Sequence, residues 1–144
     1  MNPSLNINLL IPFKDNKGAR RNLYKIEIEN FRAKLDGRAS ELGDDLVTLF
    51  GEDCEIAINS RSDGTTRKYY WRFRSSKRDR KYVRLSADSL KDYLRGLDPN
   101  QLIQLKGLEE ELIYLNANLR LLKAMSESID QSESEMAELR ELAL

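Results

Sequence analysis

The chain has 144 residues, 33% of them charged, and its 24 Lys and Arg balance 24 Asp and Glu to a formal net charge of +0. Its mean hydropathy is −0.61. That is the length of one domain able to bury a core, and it contains no apolar run long enough to span a bilayer.

The absence of histidine removes the commonest metal ligand and general base. The lone cysteine, Cys54, excludes an intrachain disulfide and fits a reducing cytoplasm. Met1 to Phe13 lacks the basic and apolar regions of a signal peptide. The expected location is the cytoplasm.

Residues 4–13 begin with alternation, Leu5, Ile7 and Leu9 against Asn6 and Asn8, which reads as a short strand or an extended arm. Lys14 to Gly18 is loop-like. From 19 to 50 the spacing of Ile28, Phe31, Leu35, Leu42, Leu46 and Leu49 predicts helix. Gly37 and Gly43 predict a kink or break within it, since each costs about 1 kcal/mol relative to Ala. Gly51 is the expected C-terminal stop.

Residues 54–85 read as a three-stranded meander. Cys54, Ile56 and Ile58 alternate with polar residues, and Ser62-Asp63-Gly64 is a turn signal. Lys68 to Arg74 and Arg80 to Leu85 are the second and third strands, joined by a polar loop from Ser75 to Asp79. Ser86 is the expected N-cap of a short helix over 87–95. Asp98-Pro99 restarts a helix over 99–130. Leu105, Leu108, Leu112, Leu115, Leu119 and Leu122 follow a heptad along it, the spacing of a coiled coil. Residues 131–144 read as a mobile acidic tail or a short helix, outside a single domain over 1–130.

The chemistry concentrates between Arg67 and Arg84. Nine basic residues there face one acidic residue, a net of +8 in a chain that is neutral as a whole. Tyr69, Tyr70, Trp71, Phe73 and Tyr82 are interleaved with them. Period-two geometry sends Trp71, Phe73, Val83 and Leu85 inward. It sends Lys68, Tyr70, Arg72, Arg74, Arg80, Tyr82 and Arg84 outward, and Lys77 and Arg78 flank that face from the loop. Such a surface suits a polyanion, and Arg is adapted to phosphate and to guanine edges. The candidate nucleic-acid contacts are these outward residues with Lys77 and Arg78. From residue 99 onward, nine acidic residues outnumber four basic ones. That region has the charge to cover the same cations in place of a nucleic acid.

The leucine heptad has two readings, packing within the chain or self-association into a homodimer. No P-loop or dinucleotide fingerprint is present. Ser75-Ser76-Lys77 has no geometry for a Ser/Lys pair. The acidic group Asp44, Asp45, Glu52, Asp53 and Glu55 lacks the pattern of a calcium loop. A protein without enzymatic activity, cofactor or metal is expected.

The run from Tyr70 to Leu94, YWRFRSSKRDRKYVRLSADSLKDYL, resembles the arm-type β-sheet DNA-binding module of tyrosine recombinases and integrases of mobile elements. The resemblance implies paired basic strands followed by a helix. It makes Trp71 the packing aromatic, Arg72, Arg74, Arg80 and Arg84 the DNA contacts, and Ser86 to Leu94 the helix. No catalytic domain of that family accompanies the run, and long helical segments stand on both sides.

The resulting expectation is an α+β fold, two long antiparallel coiled-coil-like helices flanking the meander and the short helix. Its function would be that of a DNA-binding accessory protein of a phage, plasmid or conjugative element. The expected partners are nucleic acid, DNA before RNA, a second copy of the chain, and another protein of a DNA-processing complex, with no membrane. The alternative is a protein-interaction adaptor that uses the leucine face and docks its basic sheet on an acidic protein.

Overall fold

The structure, a computed structural model, describes residues 19–64, 66–75 and 81–142, without the side chains at 19, 20, 63 and 66. The expected strand or arm at 4–13 and most of the 75–79 loop, with Lys77, Arg78 and Arg80, lie outside the described residues. Its elements are helix α1 (Ala19–Phe50), strands β1 (Ile56–Asp63) and β2 (Thr66–Phe73), a 3-10 turn (Asp88–Leu90), helix α2 (Lys91–Arg95) and helix α3 (Pro99–Arg140). Contacts divide the chain into two units, residues 1–34 with 121–144, and residues 35–120. Each long helix contributes a segment to both.

Helix α1 is continuous across Gly37 and Gly43, where a kink was expected. Leu35, Ala39, Leu42 and Leu46 all join the core on this segment. Burying each leucine contributes about 1.5–3 kcal/mol, which exceeds the glycine penalty. Gly51 ends the helix in a left-handed conformation, φ 84°, and its N–H donates to Val47 C=O at 2.7 Å.

At the start of α3, the Gln101 N–H donates to Asp98 Oδ1 at 2.9 Å, and Gln101 Oε1 accepts from the Asp98 N–H at 3.3 Å. This reciprocal pair is a capping box, and Pro99 occupies the position where a missing N–H costs nothing. The helix does not stop near Asp130 but runs on through residues 131–140. Ser86 caps nothing. The chain is already turning there, with the Ala87 N–H on Arg84 C=O at 3.0 Å. In place of a helix over 87–95, the chain forms the 3-10 turn and then the five-residue helix α2.

In the unit of residues 35–120, β1 and β2 form an antiparallel hairpin with Ile56 opposite Phe73, Ile58 opposite Trp71 and Asn59 opposite Tyr70. Gly64 turns it with φ 66°, a conformation that glycine adopts without strain. The inner face carries Ile56, Tyr69, Trp71 and Phe73. These pack in one core with Leu42 and Leu46 of α1, Leu105, Leu108, Leu112, Leu115 and Leu119 of α3, and Leu85 and Leu90. Arg38 of α1 donates from Nε to Glu111 Oε2 of α3 at 2.9 Å across the surface of this unit.

The three-stranded meander expected over 54–85 does not form. Among the described residues of the third segment, Val83 alone pairs, exchanging two hydrogen bonds of 2.9 Å with Trp71. Glu109 of α3 is the cause. Its Oε2 accepts the Leu85 N–H at 2.6 Å and its Oε1 accepts from Arg84 Nη2 at 2.7 Å. The backbone of this segment is thereby drawn off the ladder and into the turn at Ala87. The expectation of two long antiparallel helices flanking a meander is corrected, among the described residues, to three helices with a two-stranded antiparallel sheet.

In the other unit, the α1 and α3 segments bury Tyr24, Ile28, Leu122 and Ile129. The Lys25 ammonium donates to Glu133 Oε2 at 2.9 Å. That bond raises the pKa of Lys25 above the usual lysine value. Among the described residues, no helix is long and apolar enough to cross a membrane.

Candidate nucleic-acid interface

Pairing in the hairpin decides which side chains share the outer face. Ala57, Asn59 and Arg61 of β1 lie opposite Arg72, Tyr70 and Lys68 of β2. Arg61 therefore sits directly across from Lys68, which sets two cations at one cross-strand position.

The aromatics organise the cations. The Arg72 guanidinium lies 4.7 Å from the Tyr82 ring centroid, and its Nη1 donates to the Tyr82 hydroxyl at 3.1 Å. Tyr82 meets Tyr70 edge-on, with centroids 6.3 Å apart. Arg72, Tyr82 and Tyr70 thus form a connected row.

Helix α3 completes the surface. A cleft of about 300 Å³ is lined by Lys68, Tyr70, Arg84, Ile113, Asn116 and Arg120. Asn116 positions α3 against β2: its Oδ1 accepts the Tyr69 N–H at 2.9 Å, and its Nδ2 donates to Tyr69 C=O at 2.8 Å. The carboxamide occupies the place a third strand would take at Tyr69, as Val83 does at Trp71. Tyr69 itself points inward and donates its hydroxyl to Asp36 Oδ1 at 2.6 Å. Burial, then this bond, pushes its phenol above the usual tyrosine range.

The expected nucleic-acid contacts fall into four groups. Lys68, Tyr70, Arg72 and Tyr82 come together on the outer face. Arg84 is half-buried and answered by Glu109, so it is a structural cation at the cleft's edge rather than a free outward contact. Arg74 is exposed and lines a second cleft, with Glu52, Asp53 and Glu55 among its other lining residues. Lys77, Arg78 and Arg80 lie outside the described residues. The leucines Leu105, Leu108, Leu112, Leu115, Leu119 and Leu122 are all buried within the chain.

Arg61, Ile113, Asn116 and Arg120 were not anticipated. Arg61 was legible from the hairpin register, because a two-residue loop sets it across from Lys68. Asn116 and Arg120 were legible only from the position of α3 beside β2. Cys54 is buried and free, with its Sγ 3.7 Å from the Tyr93 hydroxyl. Burial, then this thiol, raises the Tyr93 phenol above its usual range. Among the described residues, no group of three or more His, Cys, Asp or Glu is placed to hold a metal ion. The chain matches no protein-family model, no curated protein and no solved structure.

Proposed function

We propose that this protein binds DNA without enzymatic activity, through the outer face of its β-hairpin and the adjoining stripe of α3. The observation that carries this reading is the convergence of Arg61, Lys68, Arg72 and Arg120 around Tyr70 and Tyr82, with Arg61 set directly against Lys68. A cluster of cations set among aromatics is the kind of surface that meets a nucleic-acid backbone. The resemblance of residues 70–94 to arm-type modules, carried by sequence and not by the strand and helix it implied, suggests an accessory role in a DNA-processing complex of a mobile element. A reducing cytoplasm suits the buried, free Cys54. An adaptor built on the heptad leucines is less well supported, because those leucines are buried.

The test is fluorescence anisotropy with labelled DNA. Lys68→Glu combined with Arg72→Glu is expected to lower affinity at least tenfold while leaving the helical circular dichroism unchanged. Four neutralised phosphates predict a log–log salt slope between about −3 and −4. A slope near zero, or a double variant that binds as tightly as the parent, would refute the proposal.

A further inference from the structure

Resting on that reading, we infer that the preferred ligand is single-stranded DNA, and that the cleft between β2 and α3 receives one unstacked base. The cleft is small, about 300 Å³, and combines an aromatic, Tyr70, with an aliphatic wall, Ile113. Ile113 is half exposed at 48%, an apolar surface with a place for a ligand against it. Lys68 stands beside Tyr70 on β2, and Arg120 lies seven residues beyond Ile113 on α3, so cations bracket the apolar pair. Across the cleft, Arg84 pairs with Glu109, while Lys68 of β2 and Arg120 of α3 line it from the two sides.

This arrangement fits an unpaired base better than a base pair. A stacked duplex offers only base edges at the floor of its grooves. A single strand offers the flat face of each base, which stacks on an aromatic side chain while flanking phosphates meet cations. The hairpin is also not a lone ribbon that can enter a major groove. Asn116 fixes α3 along the β2 edge at Tyr69, and a helix about 10 Å across beside two strands is wide for a groove of about 12 Å. The row Arg72, Tyr82, Tyr70 continues from the cleft as a platform for the next bases.

The experiment compares the full chain with three probes by anisotropy competition: a short oligothymidine, a mixed-sequence duplex of equal length, and inorganic polyphosphate. The oligothymidine is expected to bind most tightly. Tyr70→Ala is expected to weaken it roughly tenfold, the loss of one stacked base, and to change duplex and polyphosphate binding less than twofold. Tyr70→Phe, which keeps the ring, is expected to restore single-strand affinity. Ile113→Asp places a carboxylate in the cleft from a different element, and it should discriminate against the oligothymidine in the same way. Duplex bound as tightly as the single strand, or Tyr70→Ala and Tyr70→Phe behaving alike, overturns the inference and leaves the DNA-binding proposal standing. Failure of every DNA probe to bind overturns both.

Discussion

Asn116→Leu is expected to lower the stability of the protein by roughly 2–6 kcal/mol, because two buried backbone groups of Tyr69 lose their partners and each costs about 1–3 kcal/mol. The residue is only 4% exposed, and its carboxamide both accepts from the Tyr69 N–H and donates to Tyr69 C=O. Leucine matches its bulk but satisfies neither group. Asn116→Asp is a sharper probe. At neutral pH the carboxylate still accepts from the N–H but cannot donate, and it faces a carbonyl oxygen. Once protonated, it donates again. Burial and the carbonyl favour the protonated form, so the folded-state pKa lies above the unfolded value of about 3.9. The rescue is therefore fully present below the unfolded pKa and is lost as pH rises through the folded one. Urea titrations of the two variants across the acid range check this. An Asn116→Asp variant whose stability, relative to the parent, did not improve on acidification would contradict the geometry.

Trp71→Ala is expected to cost about 3–5 kcal/mol, the usual loss for a large aromatic removed from a core. Trp71 is fully buried and lies across β1 from Ile58, in the same core as the α3 leucines. Against a typical total of about 5–15 kcal/mol, that loss brings the fold near its limit. Trp71→Phe is expected to cost much less. The indole Nε1 is buried with no acceptor among the described residues, so phenylalanine removes a desolvated donor along with the lost volume. Because this is the chain's one tryptophan, circular dichroism rather than fluorescence should follow both variants. Equal costs for Ala and Phe would contradict the core placement.

Both residues show where sequence reasoning reaches and where it stops. Trp71 was legible, because strand alternation is a local rule: Tyr69, Trp71 and Phe73 separate from Lys68, Tyr70 and Arg72 within seven residues. The burial of the heptad leucines follows from a similarly local period. The third strand was misread because the sequence of residues 80–85 suits a strand, and what prevents one lies 24 residues further on, in the Glu109 carboxylate. Asn116 is seven residues beyond Glu109, at the same position flanking the leucine stripe, and it also reaches the sheet edge. A polar residue repeated beside an apolar heptad was the available signal. It becomes informative only once α3 is known to lie along β2. The same limit hid Arg120 from the candidate site.

The substitution of a side-chain amide for a strand also shapes how this fold forms. The β1–β2 hairpin closes locally through a two-residue loop, but at Tyr69 the edge of β2 is completed by a residue 47 positions away. Contacts of that sequence separation form late and slow the acquisition of structure. The amide hydrogen of Tyr69, although at the margin of a two-stranded sheet, should then exchange with solvent only when α3 itself detaches. Its exchange rate would match that of the α3 core rather than that of a fraying strand.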